Sequence, residues 1–204
     1  MKEYVAKKVN SPLTMEDKRW ENAEVVVLSE HWEAFPKQYN TKARLLHGED
    51  GLYVRMETDE WPIKAPEVNE NGEVCLDSCM EFFFTPNTTD KDFINLEVNA
   101  ISTPLCYIGE SRRGRKPLKV SEENIEIETQ IKYGKGWSML AFVSAEFMRK
   151  YFSSFDKEMK ANFYKCGNET VIEHYSVWNK IDTPVPDYHR PEFFGKIILS
   201  DEEL

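Results

Sequence analysis

CLDSCMEFFFTP, from Cys75 to Pro86, and FINLEVNAIST, from Phe93 to Thr103, decide the fold of this 204-residue chain. Successive side chains of a β-strand point to opposite faces, so each stretch can be divided with period two. One face is apolar and carries Leu76, Met80, Phe82 and Phe84 on the first strand and Ile94, Leu96, Val98 and Ala100 on the second. The pattern predicts an antiparallel hairpin closed by the turn residues between the two stretches.

The other face of this hairpin is rich in carboxylates and amides. The predicted register places Glu81 near Asn95, Cys79 near Glu97 and Asp77 near Asn99. Asp and Asn are residues that strands normally avoid, and their short side chains suit the binding of hydroxyl groups or of a cation. An ordinary solvated sheet face is the alternative interpretation, since antiparallel sheets often have one face in water.

The rest of the chain is also dominated by strand patterns bounded by turn residues. Strand-like runs cover Ala23–Leu28, Ala43–His47, Leu52–Thr58, Val74–Phe84, Ile94–Thr103, Ile125–Lys132, Ser138–Val143, Lys160–Tyr164, Tyr175–Lys180 and Phe194–Leu199. One short helix is predicted over Ala145–Phe155, with Ser144 as its N-cap, covering one end of the sandwich. The sequence therefore predicts an all-β antiparallel sandwich, with residues 1–204 as a single domain.

Charge and termini limit the partners. The chain has 36 acidic and 26 basic side chains and a formal net charge of −10, which disfavours nucleic acid as a partner. No stretch approaches the ~20 apolar residues of a membrane span, so no membrane association is expected. As written, the N-terminus lacks a signal peptide, which favours a cytoplasmic location, or an extracellular one if an export signal was removed. The oligomeric state is left open.

Aromatic side chains supply the second component of a sugar site. The C–H face of a sugar ring stacks on a flat aromatic ring, while its edges form hydrogen bonds to polar side chains. Trp61 and Trp178 lie in loop-like surroundings with polar neighbours. Burial is the alternative for any single Trp, and the patterns around Trp20, Trp32 and Trp137 are typical of core residues.

The carboxyl groups of the polar face also allow a catalytic or a metal-binding interpretation. Glycosidases use two carboxyl groups about 5 to 9.5 Å apart, and Asp77, Glu81 and Glu97 are the candidates here. Asp77 and Glu81 on one strand would be about 13 Å apart, so only a diagonal pair with Glu97 could qualify. Calcium could bind to the same oxygen atoms, although no EF-hand loop is present. The four histidines are scattered, and Cys75 and Cys79 lack a second cysteine pair for a zinc site.

Several motifs together resemble the family 9 carbohydrate-binding modules and their stand-alone relatives. They are DSCMEFFFTP at 77–86, NLEVNAISTPL at 95–105, the Arg112/Arg113 pair, ANFYKCG at 161–167 and the HYSVWN and DYHRPEFFG segments that begin at His174 and Asp187. The resemblance covers most of the chain. It implies a jelly-roll-like β-sandwich that holds the end of a sugar chain between two Trp rings, with structural calcium in some members.

Carried onto this chain, the resemblance implies that Trp61 and Trp178 are the stacking pair. The polar ligand-binding residues would be Asp77, Glu81, Asn95, Asn99, Arg112 and Asn179. The expected function is non-catalytic binding of a mono- or oligosaccharide. The alternatives are a glycoside-processing enzyme that uses Glu81 and Glu97, and a structural or protein-interaction sandwich without a sugar ligand.

Overall fold

The computed structural model describes residues 1–10 and 12–204, and these residues form strands far more than helices. The strands are β1 Glu3–Lys8, β2 Val26–Val27, β3 Glu30–His31, β4 Thr41–His47, β5 Gly51–Thr58, β6 Cys79–Thr85, β7 Phe93–Asn99, β8 Pro104–Gly109, β9 Lys116–Pro117, β10 Ile125–Lys132, β11 Gly136–Ser144, β12 Glu158–Gly167, β13 His174–Val177 and β14 Gly195–Glu203. The helix α1 spans Ala145–Tyr151, and short 3₁₀ turns cover Lys18–Asn22, Val74–Leu76, Val120–Glu122 and Pro191–Phe193. In the described part of the chain, no helix has the length and apolar character needed to span a bilayer.

The strands form one hydrogen-bonded sheet that curls over itself. Its order is β10-β11-β5-β4-β1-β14-β12-β6-β7-β8-β9, with β2, β3 and β13 paired beside this path. Val54 on β5 and Phe82 on β6 lie far apart in that order, yet both belong to the same buried core. Two stretches of one sheet therefore face each other across a shared apolar layer, as in a sandwich. The all-β sandwich prediction is confirmed.

The first strand makes the sheet mixed, although the prediction was an antiparallel one. Strand β1 pairs in parallel with both β14 and β4, whereas the other pairs are antiparallel. The sequence patterns did not reveal β1, because EYVAKK is short and carries three charged side chains. Its alternation places Tyr4 and Ala6 in the core, 1% and 0% exposed.

The register of the β6–β7 hairpin differs by two residues from the prediction. Glu81 is opposite Glu97, Cys79 is opposite Asn99 and Phe83 is opposite Asn95. The loop explains this difference, because Lys91 and Asp92 remain unpaired and β7 begins only at Phe93. The Asn87 side chain accepts hydrogen bonds from the backbone N–H groups of Thr89 and Asp90, at 3.0 and 2.8 Å, and this Asx-type turn sets the loop length.

The predicted helix is confirmed at its N-terminus and is shorter at its C-terminus. The Ser144 hydroxyl accepts a hydrogen bond from the Phe147 backbone N–H at 3.0 Å, as an N-cap does. The helix ends at Tyr151, and the backbone of Phe152 is extended. Phe155 therefore lies beyond the helix, where its ring packs against the main core.

Both faces of β6 and β7 are buried, which the sequence did not predict. Met80, Phe82 and Phe84 belong to the main core, while Cys79 and Phe83 belong to a second apolar cluster on the opposite face. Tyr188, Phe193 and Phe194 from the C-terminal region pack in that second cluster. The polar face of the hairpin is consequently enclosed by protein rather than exposed to water.

Candidate functional site

The enclosed polar face carries two carboxyl groups directly opposite one another. Glu81 on β6 and Glu97 on β7 are cross-strand partners, with only 2% and 3% of their surfaces exposed. Burial raises the pKa of Glu97 to about 7. Burial and the neighbouring Glu97 together raise the pKa of Glu81 well above its usual range. Near neutral pH the pair therefore does not carry two full negative charges, because two buried like charges repel each other.

A chain of hydrogen bonds orients one oxygen of Glu97. The Arg115 guanidinium Nη1 donates to Asn95 Oδ1 at 2.9 Å, and Asn95 Nδ2 donates to Glu97 Oε1 at 2.9 Å. Arg115 also lies over the Tyr107 ring, 4.7 Å from its centroid. The second oxygen, Glu97 Oε2, is buried and has no hydrogen-bond partner. A buried acceptor of this kind is destabilising unless a ligand or water completes it.

His189 presents a donor to the same region. Its Nε2 lies within hydrogen-bond distance of Arg115 Nη1, which can only donate. Burial and the nearby Arg115 lower the pKa of His189 to about 3, so the ring is neutral. In the neutral ring, Nε2 is then the acceptor and Nδ1 carries the proton. Nδ1 is buried without a hydrogen-bond partner, and the Asp187 carboxylate is 3.9 Å away.

These groups line a cavity of about 250 Å³. A third buried and unpartnered atom, Asn168 Oδ1, belongs to another lining residue. Apolar and aromatic walls are contributed by Phe35, Leu105, Tyr175, Pro186 and Tyr188, and further polar walls by Cys75, Glu81, Arg112, Arg115 and Cys166. Tyr188 is a fixed wall, because its ring stacks on Tyr164 at a centroid distance of 4.2 Å and its hydroxyl donates to the Lys165 carbonyl at 3.0 Å.

The structure brings three of the predicted polar residues to this cavity. Glu81 and Arg112 line it, and Asn95 lies immediately behind Glu97. Arg112 is at the rim, where its side chain is 61% exposed and lies 3.3 Å from the Asp187 carboxylate. These placements leave the side chains of Glu81 and Arg112 available to a ligand in the cavity.

Three other predicted residues are occupied by structural hydrogen bonds. Asp77 Oδ2 accepts from the Glu67 backbone N–H and from Asn99 Nδ2, at 3.0 and 2.9 Å. Asn99 Oδ1 accepts from the Thr103 backbone N–H at 2.9 Å. Asn179 joins the N-terminal strand to the C-terminal region, since it accepts from the Lys2 backbone and donates to the Phe193 carbonyl. None of these three residues lines the cavity.

The predicted stacking pair is not brought together at the cavity. Trp178 is 5% exposed and packs in the main core, with its ring centroid 5.7 Å from that of Phe163. Gly195 leaves space for it, because a Cβ at that position would lie 2.5 Å from the indole. Trp61 is half-buried and packs edge-to-face on Tyr133, and it does not line the cavity. A sugar could stack on Trp178 only if that ring left the core.

A second buried polar cluster has every hydrogen-bonding position filled. The Lys165 ammonium donates to Glu60 Oε2, to the Cys166 carbonyl and to His174 Nε2, at 2.8, 2.7 and 2.8 Å. Glu60 also accepts from Ser78 Oγ and Trp137 Nε1. The side chains of Glu60 and Lys165 are 0% exposed. Because no group is left for a ligand, we interpret this cluster as structural.

Sequence reasoning did not assign Arg115, His189, Asn168, Phe35 or Tyr175 to the site. Glu97 was placed on the polar face and considered as a glycosidase carboxyl group or a calcium ligand, but it was not among the predicted sugar-binding residues. The register of β7 was the signal that could have paired Glu97 with Glu81, but it depends on the loop described above. His189 and Asn168 are distant in sequence from the hairpin, and no local pattern indicates that they reach it.

One group of metal-ligating side chains is present among residues 1–10 and 12–204. Cys79, Glu81 and Cys166 each offer a ligand atom within 4.8 Å of the others. Calcium takes six to eight oxygen ligands, so this group with its two thiols does not fit calcium. The expected structural calcium stays a prediction.

A curled β-sandwich that encloses a small polar and aromatic cavity has the form of a ligand-binding module. Residues 9–199 match carbohydrate-binding family 9, and the chain belongs to that family. No curated protein matches it by sequence.

Solved structures show the same fold. A candidate carbohydrate-binding protein from Bacteroides uniformis ATCC 8492 superposes with a TM-score of 0.84 at 22% identity, over 98% of this chain and 99% of that one. A family 9 module from Caldicellulosiruptor kristjanssonii in complex with cellotriose gives 0.66 at 17% identity, over 97% and 93% of the two chains. The same organism's family 9 module in complex with glucose gives 0.64 at 17% identity, over 98% and 96%.

Proposed function

We propose that this protein binds a sugar, without transforming it, in the cavity between the β6–β7 hairpin and the segment that contains His189. The observation that carries the proposal is the set of three buried, unpartnered atoms among the lining residues. Glu97 Oε2 and Asn168 Oδ1 are acceptors, and His189 Nδ1–H is a donor. A sugar hydroxyl both donates and accepts, so adjacent hydroxyl groups complete such a set.

The size of the cavity supports one sugar ring as the bound unit. A volume of about 250 Å³ lies just below the usual range of ligand pockets, which is roughly 300–1,000 Å³. A monosaccharide, or the terminal ring of an oligosaccharide, fits this space better than the interior of a chain. Phe35 and Tyr175 offer the apolar surface on which the C–H face of the ring packs. The family assignment and the sugars bound to two similar structures support the same ligand class.

The test is a calorimetric titration of the protein with mono- and oligosaccharides that include glucose and cellotriose, each paired with its reduced alditol. The expected result is saturable binding of one sugar per chain by at least one of them. Binding of the sugar and not of its alditol would indicate recognition of a closed ring at a chain end. Absence of binding to every sugar tested would contradict the proposal. Release of reducing sugar that is abolished by Glu97→Gln would indicate an enzyme instead.

Replacement of Glu97 tests the hydrogen-bonding part of the site. Glu97→Gln is nearly isosteric, and Asn95 Nδ2 can still donate to the amide oxygen that the substitution introduces, but the free carboxylate oxygen is lost. Hydrogen bonds to charged groups contribute about 1.5–3 kcal/mol. We therefore expect sugar affinity to fall about 10- to 100-fold. Glu146→Gln, on the exposed face of α1, is the matched control and should leave the affinity unchanged.

Replacement of aromatic rings tests where the sugar stacks. Tyr175→Ala removes a cavity wall and is expected to weaken binding at least about 5-fold, since ring packing contributes about 1 kcal/mol beyond area burial. Trp61→Ala removes a ring outside the cavity and is expected to leave affinity unchanged. Calorimetry of both variants separates the two stacking hypotheses. Loss of binding in Trp61→Ala with retention in Tyr175→Ala would move the site to Trp61.

A further inference from the structure

We propose that Cys79, Cys166 and Glu81 form a binding site for a thiophilic divalent cation of the Zn²⁺ class at the wall of the cavity. Their ligand atoms, two thiol sulfurs and a carboxylate oxygen, all lie within 4.8 Å of one another. This inference goes beyond sugar binding and does not depend on it.

Strand register brings the three side chains onto one face. Cys79 and Glu81 are two residues apart on β6 and so point to the same side. Cys166 on β12 is the cross-strand partner of Cys79. The triangle is therefore held by two adjacent strands in the interior of the sheet. All three residues are at most 2% exposed, so their positions are fixed by packing.

The distances suit a tetrahedral ion after small side-chain movements. Zinc binds thiolate sulfur at about 2.3 Å and carboxylate oxygen at about 2.0–2.2 Å, so ligand atoms around it are roughly 3.5–3.8 Å apart. Cys166 Sγ now donates to Glu81 Oε1 at 3.0 Å. That pair would have to open by about half an ångström to admit the ion. Calcium, which requires more oxygen ligands, would not be held.

The cavity gives the ion a path and a fourth position. Cys166 and Glu81 line the cavity, whereas Cys79 lies behind them. An ion that enters by this path exchanges the proton of each thiol for a sulfur–metal bond, and the released protons pass to solvent. The coordination position that faces the cavity stays open to water. Glu97, opposite Glu81, has an unpartnered oxygen that such a water could reach by hydrogen bonding.

Cobalt(II) titration of the reduced protein tests this site with no sugar present. We expect one equivalent of Co²⁺ per chain to produce thiolate-to-cobalt charge-transfer absorption together with the strong visible bands of a tetrahedral ion. Zn²⁺ should displace the Co²⁺, and Ca²⁺ should not. Absence of the charge-transfer band would overturn the proposal and show that the thiols only fill space.

Variants decide which thiols bind the ion. Cys79→Ser and Cys166→Ser should each lose the charge-transfer band, and circular dichroism should show that each variant remains folded. Cys106→Ala is the control, because Cys106 is buried in the main core on the other face of the sheet. A band of unchanged intensity in Cys79→Ser or in Cys166→Ser would also overturn the assignment, because each variant retains only one of the two thiolate ligands. Sugar titration with a chelator present reports on the sugar site separately, so the two proposals can fail independently.

Discussion

Lys165→Met is expected to lower the free energy of unfolding by about 3–5 kcal/mol, the range for removing one partner of a buried ion pair. The Lys165 ammonium is 2.8 Å from Glu60 Oε2, and neither side chain has any exposed surface. Met fills much of the same space but leaves the Glu60 carboxylate as an uncompensated buried charge. It also removes the donors to His174 and to the Cys166 carbonyl. Urea unfolding monitored by circular dichroism measures the change.

Lys160→Met is the matched control for this effect, since Lys160 lies on the same strand and is only half-buried. Its expected change is within about 0.5 kcal/mol. The double variant Glu60→Gln/Lys165→Met should be less destabilised than the sum of the two single variants, because no buried charge is then left unpaired. If Lys165→Met and Lys160→Met lowered the unfolding free energy equally, the buried Lys165–Glu60 ion pair would not be the source of the effect.

Acidification is expected to destabilise the protein through His174. Its Nδ1 donates to the Ile172 carbonyl at 2.6 Å, and its Nε2 accepts from the Lys165 ammonium at 2.8 Å. Burial and the Lys165 charge lower the pKa of His174 to about 4 from a usual value of 6.5. A lowered folded-state pKa contributes stability above pH 6.5 that is lost as the pH falls toward 4, because the unfolded chain takes up the proton first.

The lowering of the His174 pKa from 6.5 to about 4 corresponds to about 3 kcal/mol of folding stability. The measurement is urea unfolding of the wild type and of His174→Gln at several pH values between 7.5 and 4. The difference in unfolding free energy between the two proteins should decline by about 3 kcal/mol across that range. Subtraction removes the contributions of His47 and His189, whose pKa values are also lowered. If the difference in unfolding free energy did not change with pH, protonation of His174 would not be coupled to folding.

Local patterns were sufficient for most of the long strands, for the two faces of β6 and β7 and for the N-cap of α1, but they did not indicate β1 or β8. Each of these depends on residues within one turn or one strand, and period two or a Ser side chain reveals them directly. The same patterns did not indicate that the polar face is enclosed. Tyr188, Phe193 and Phe194 contribute to that burial, since they belong to the same apolar cluster as Cys79 and Phe83 although they are more than a hundred residues away in sequence.

Of the polar residues that the sequence indicated on the hairpin, Glu81 and Glu97 line the cavity. The register differs from the prediction by two residues, so Glu97 rather than Asn95 is opposite Glu81. The burial of the Trp178 ring was also not indicated by the sequence. Its polar neighbours indicated an accessible ring in a loop, and Trp178 does follow the end of β13, yet its indole packs in the core beside Gly195 and Phe163. Only three-dimensional contacts distinguish such a ring from a ligand platform.

The proposed sugar site is the cavity beside Glu97 and His189. The most direct measurement is a crystal structure of the protein with the sugar that binds most tightly in the calorimetric panel. We expect one sugar ring in the cavity, with hydroxyl groups within hydrogen-bond distance of Glu97 Oε2, Asn168 Oδ1 and His189 Nδ1. A sugar bound on Trp61 or elsewhere on the surface, with the cavity filled by water alone, would contradict it.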